Sequence, residues 1–143
     1  MSTDAIDNDQ KPRDYGSPFD DSDADVVLRS SDLVDFYVYK LILTKSSPVF
    51  RDMFSVPQPA SDVTGPRNLP IIPLSETAAD LAMVLTFCCP MQRPVLTLQK
   101  ALIVLRIAEK YAMDWLYKEM KDLLKQPAMA REDPVRVFAS RGT

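Results

Sequence analysis

Histidine is absent from this chain, glycine occurs three times and cysteine twice. Each shortage removes a class of chemistry. Without histidine the commonest general base and metal ligand is missing. Three glycines form no Gly-rich phosphate-binding loop, and no cysteine spacing matches a metal site. Cys88 and Cys89 are adjacent, and neighbouring residues rarely form a disulfide, so both read as buried free thiols. Paired carboxylates such as Asp20/Asp21 and Glu132/Asp133 are explained by solvation and helix capping. The chain therefore reads as non-enzymatic, with no catalytic residue, cofactor or metal. No stretch of about eighteen apolar residues is present, and no basic segment leads an apolar one at the start. The expectation is an intracellular protein, cytoplasmic or nuclear, that does not bind membranes.

At 143 residues, the chain is long enough for one domain burying roughly 70% of its unfolded surface. Its net charge of −3 is unevenly placed: residues 1–25 hold eight aspartates against Lys11 and Arg13, leaving +3 for the remainder. That excess lacks basic runs or interleaved aromatics, which argues against nucleic-acid binding. Residues 1–22 have few aliphatic side chains and read as an acidic disordered tail. Within it, Tyr15, Pro18 and Phe19 are the residues able to pack loosely on a domain.

The organising stretch runs from Asp23 to Phe54. Asp25-Val-Val-Leu-Arg29 and Val34 to Tyr39 are β-branched and aromatic runs separated by Ser30-Ser31-Asp32, which predicts a hairpin. From Lys40 the pattern becomes helical, through Leu41, Ile42 and Leu43 to Ser47-Pro48. Ser47 is a fitting N-cap and Pro48 a fitting first residue for a second short helix carrying Val49, Phe50, Met53 and Phe54 on one face. A Pro-rich loop follows over residues 55–68. Leu69 to Leu74, pinned by prolines, reads as an edge strand. A helix capped at Ser75 then runs to Pro90. A very apolar one capped at Thr97 follows, and a third capped at Asp114 buries Trp115, Leu116, Met120, Leu123 and Leu124. Asp133-Pro134 has the form of a start for a last short helix over Val135–Phe138.

This order, with Asp25 opening the first strand, Phe36 and Val38 alternating in the second, Lys40 after it, Leu43, and Ser47 to Phe54, resembles the BTB/POZ domain. So does the closing pair of helices from Ala101 to Leu116. The resemblance covers residues 23–126, with 127–143 as a linker and the start of a further helix. It implies an α+β fold: a small, mainly antiparallel sheet capped by five or more helices. It also implies a protein–protein interaction module that mediates homo- or hetero-oligomerisation, as in the stand-alone BTB proteins of fungi, which share the Phe87-Cys-Cys-Pro90 style of helix end. The family places an acidic and a basic residue in a charged pocket near its dimer axis, which the resemblance carries onto Asp25 and Lys40. Leu41, Val49, Phe50, Met53 and Phe54 are the candidate partner-contact residues, the last four also being candidates for core.

Tyr39 stands where the family usually has histidine, and Leu33 where it commonly has a turn glycine. No amphipathic helix precedes the first strand, which weakens the inference of an intertwined homodimer. A cullin-type ubiquitin-ligase substrate adaptor is one alternative. Cullin-recruiting members present a hydrophobic residue two positions before a glutamate, and no glutamate lies between Phe54 and Pro73. A transcription-associated oligomeriser acting through a partner is another. The partner is thus a protein: itself, another BTB protein or a cullin.

Overall fold

The computed structural model describes residues 11–56, 67–130 and 135–136. These fall into two compact units, one from Met1–Leu41 and Val56–Leu81, the other from Ile42–Ser55 and Ala82–Thr143. Residues 1–10 and most of the Pro-rich loop lie outside the described residues.

The first unit is a four-stranded sheet. β1 (Arg13–Asp14), β2 (Val26–Arg29), β3 (Val34–Val38) and β4 (Ile71–Pro73) are ordered β1-β3-β2-β4. β2 and β3 form the expected antiparallel hairpin, but β1 joins β3 and β4 joins β2 in parallel. The sheet is thus mixed rather than mainly antiparallel, because its two edges arrive from distant parts of the chain. In the hairpin, Val26 pairs with Val38 and Leu28 with Phe36, which puts the apolar residues on one face. Phe36 is fully buried there, a burial that stabilises by about 2–3 kcal/mol. On the opposite face Val27, Tyr37 and Ala24 form a cluster with Leu69 and Ile71. Beside it, Arg29 grips Asp35 with two parallel hydrogen bonds of 2.8 and 3.0 Å. β4 occupies an edge, as its prolines require.

Part of the expected acidic tail is built into this sheet. Arg13–Asp14 is a strand, Tyr15 stacks on Phe36 at 4.6 Å between ring centroids, and Phe19 is only 3% exposed. Two aromatic anchors and a two-residue ladder outweigh the polar composition around them, so Tyr15 and Phe19 are packed into the sheet rather than loosely against it.

The hairpin turn keeps its leucine. Leu33 adopts φ +62°, the left-handed conformation that glycine favours. The turn is fixed by Ser30, whose Oγ accepts from the Val34 N–H at 2.9 Å and donates to Asp32. Asp32 Oδ1 in turn accepts from the N–H of Ala78, the first residue of α3 (Ala78–Cys88), at 2.9 Å. That helix starts later than its expected cap, Ser75. Thr77 accepts from Asp80 N–H at 3.3 Å instead, and Asp32 supplies a second acceptor from across the unit.

α1 (Lys40–Ser46) and α2 (Pro48–Ser55) follow β3. Ser47 caps α2 as expected, accepting from Phe50 N–H at 3.1 Å. In the second unit, α4 (Leu98–Lys110) and α5 (Asp114–Leu124) pack against one another. Thr97 caps α4 as expected, but Met113 occupies the N-cap position of α5 and Asp114 is its first residue. α4 ends in a glycine-type motif without glycine. Ala112 has φ +54°, and the N–H of Met113 donates to Ala108 O at 2.8 Å.

α6 (Pro127–Ala130) is a single turn. Val135–Arg136, expected as helix, is instead strand β6, antiparallel to β5 (Val95–Leu96). About two turns of helix are marginal alone, and a strand partner is available.

Candidate functional site

The hairpin register decides where the charged candidates lie. Pairing Val26 with Val38 brings Asp25 beside the residue after Tyr39, and the Asp25 N–H donates to Val38 O at 3.1 Å. The Asp25 carboxylate then accepts from the backbone N–H of Lys40 at 2.7 Å. The two residues named from the resemblance are thus adjacent, joined carboxylate to backbone. Asp25 serves as a cap for α1 from a neighbouring strand, where a negative charge also suits the positive end of the helix.

A second carboxylate flanks this position. Tyr39 donates its hydroxyl to Asp21 Oδ2 at 2.8 Å. That hydrogen bond, with desolvation and the charges of Asp21, Asp23 and Asp25, pushes the phenol up to about 12. Arg67 holds the same segment from the other side. Its guanidinium donates to Asp21 O at 2.6 Å and Asp20 O at 3.1 Å, and lies 4.1 Å from the centre of the Tyr37 ring. The result is an exposed acidic ledge, Asp20, Asp21, Asp23 and Asp25, whose backbone is fastened to the sheet.

Leu41 immediately follows, 66% exposed, an apolar side chain offered to solvent at the start of α1. The α2 candidates behave differently. Phe50 is 2% exposed and lies between Tyr111, stacked at 4.9 Å, and Phe54 at 6.0 Å. It is a core residue and leaves the set of candidate contacts, because the second unit has an aromatic partner waiting for it. Val49, Met53 and Phe54 are half-buried.

Trp115 shows the reverse. Expected in the core, it is 38% exposed. Its indole N–H donates to Ser46 O at 3.0 Å, satisfying the ring's polar edge at the end of α1. With Lys118, Glu119 and Asp122 it lines a shallow depression of about 270 Å³. The sequence did carry a signal: Trp115 is flanked on its helix face by Lys118 and Asp122, which belong in water.

Both thiols are held toward the protonated form. Burial pushes Cys88 up to about 12, only partly offset by a hydrogen bond with Ser46 and the charge of Arg93, and burial raises Cys89 as well. Among the described residues no cluster of three histidine, cysteine or acidic side chains is placed to hold a metal ion. No described helix is long and apolar enough to cross a membrane.

Comparison with known proteins gives these features a family. Among curated proteins none matches. Among solved structures, the BTB domain of zebrafish PATZ1 superposes with a TM-score of 0.56 over 72% of this chain and 76% of that one, at 18% identity. That likeness concerns the fold. The family model of the BTB/POZ domain matches residues 17–128, which takes in the hairpin, the acidic ledge, Leu41 and the α4–α5 pair. BTB/POZ domains are protein–protein interaction modules, and this chain belongs to the BTB/POZ family.

Proposed function

We propose that this chain is a non-enzymatic oligomerisation module that buries the Leu41 end of α1 against a second BTB chain, in the first instance another copy of itself. The observation that carries this is Leu41, two-thirds exposed on a well-capped helix and set beside the charged Asp25–Lys40 corner. An exposed leucine alone is ordinary. Its support here is the fixed charge at its rim, Asp25 held against the start of the same helix. A symmetric contact of this kind uses the same patch on both partners, so the Asp25–Lys40 corner of each copy would lie near the axis.

Light scattering over a concentration series tests it, with Leu41→Asp as the variant. A dimer whose dissociation constant rises at least about tenfold on introducing the charge supports the reading, since tenfold is about 1.4 kcal/mol, well within the value of one buried leucine. A wild-type chain that stays monomeric throughout contradicts self-association. The contact would then be with a heterologous partner, and capture with a purified cullin would distinguish the adaptor reading from pairing with a different BTB chain.

A further inference from the structure

The two units carry opposite charge. Segments 1–41 and 56–81 hold thirteen acidic side chains against five basic ones, giving −8. Segments 42–55 and 82–143 hold seven against twelve, giving +5. The net −3 of the chain conceals this separation, which is large enough to orient approaching copies.

Each unit also concentrates its charge beside an exposed aromatic. On the first, Asp14, Asp20, Asp21, Asp23 and Asp25 are all exposed, and Tyr15 among them is 42% exposed. Arg67 takes no carboxylate from this group, since it donates to the backbone oxygens of Asp20 and Asp21. On the second, Lys118, Lys121 and Lys125 recur three and four residues apart along α5 and just past its end, on the face that Trp115 opens. Asp114 and Asp122 share that face, so its positive potential is set by the unit as a whole as well as by the three lysines. Glu119 adds little negative charge, because Arg93 Nη1 binds it at 2.8 Å.

We propose that a second copy of this chain docks its acidic segment, residues 14–25, on the lysine-and-tryptophan face of α5. The proposed contact is made once per pair, acidic segment of one copy on the basic face of the next. Each copy then retains one unused acidic segment or one unused basic face, and association continues beyond a pair. Complementary potentials raise the encounter rate and fix which faces meet, while Tyr15 and Trp115 supply the apolar contact that charge alone lacks. This rests on the reading of the chain as an interaction module but not on the symmetric Leu41 contact, which closes at two and brings two acidic ledges near each other, so that salt strengthens it rather than dissolving it.

The test is a charge swap read by sedimentation velocity. One variant carries Lys118→Glu, Lys121→Glu and Lys125→Glu; the other carries Asp20→Lys and Asp23→Lys, sites whose side chains lie outside the Asp21–Tyr39 and Asp25–Lys40 hydrogen bonds. Wild-type chain should form species larger than a dimer at about 50 mM salt and lose them at about 500 mM, where screening shortens to a few ångströms. Each variant alone should lose the larger species at low salt, and an equimolar mixture of the two should form a one-to-one pair, because the intact acidic segment of one then meets the intact lysine face of the other. Circular dichroism confirms that both remain folded. A mass distribution indifferent to salt and to both variants, or a mixture that stays as small as its components, overturns the proposal. Leu41→Asp separates the two contacts: it removes the closed dimer and leaves the salt-sensitive species.

Discussion

Asp25 and Lys40, fifteen residues apart, meet side chain to backbone at 2.7 Å, so the start of α1 is capped by the residue just before the hairpin's first strand. The strand pairing and the helix start are one structural unit. Replacing Asp25 with alanine leaves that N–H without its acceptor and removes a favourable charge from the helix start. The expected loss is about 1 kcal/mol, with asparagine retaining most of the stability. Urea unfolding of the two variants measures it, and equal losses for Ala and Asn would assign the effect to charge alone.

Ser47 uses one hydroxyl twice. Its Oγ accepts from Phe50 N–H at 3.1 Å and donates to Tyr111 O at 2.6 Å, in a fully buried position. Alanine there removes a cap and strands a buried carbonyl, so a loss of about 2–3 kcal/mol is expected, larger than for an exposed cap. Threonine keeps the hydroxyl but adds a methyl group to a closed site, and should fall between the two.

At the end of α4, Ala112 holds φ +54° while Met113 N–H closes the terminal ring onto Ala108 O. Glycine adopts that conformation without the Cβ penalty, so Ala112→Gly should stabilise the chain by about 1 kcal/mol. Thermal unfolding should show a rise of several degrees. A fall would mean that the alanine methyl contributes more by packing than it costs in strain.

The buried thiol sets a pH dependence. Cys88 ionises near 9.0 when unfolded and near 12 when folded. The folded chain therefore binds more protons than the unfolded chain between those values, and stability falls as pH rises through that window. Tyr39, raised from 10.0 to about 12, acts in the same direction. Stability curves from pH 8 to 11 should decline, and Cys88→Ala should flatten the decline relative to wild type. At neutral pH, Cys88 should react slowly with thiol reagents until the chain is unfolded.

Much of the fold was legible because local chemistry and tertiary need agreed. Ser47-Pro48, Thr97 and the alternation of Val26, Leu28, Phe36 and Val38 announce their roles in the residues themselves. Where the reading failed, a distant partner decided. Ser75 looked like a cap, but Asp32 reaches Ala78 from the hairpin turn and moves the helix start. Val135–Arg136 had helix signals, but β5 offers a ladder. Phe19 sits among aspartates, and only the sheet shows that Phe36 receives it. The candidate site divides along the same line. Asp25 and Lys40 meet because strand register brings them together, whereas Phe50 keeps only the core role of the two open to it and Trp115, expected in the core, is exposed. A helical period tells which residues share a face, not which side of that face the rest of the chain will cover.

Sedimentation equilibrium of the wild-type chain over a wide concentration range, compared with Leu41→Asp, tests the central claim most directly. Reversible self-association of the wild type, weakened by the aspartate, is the expected result. A single monomeric mass at every concentration, identical for both proteins, would contradict it.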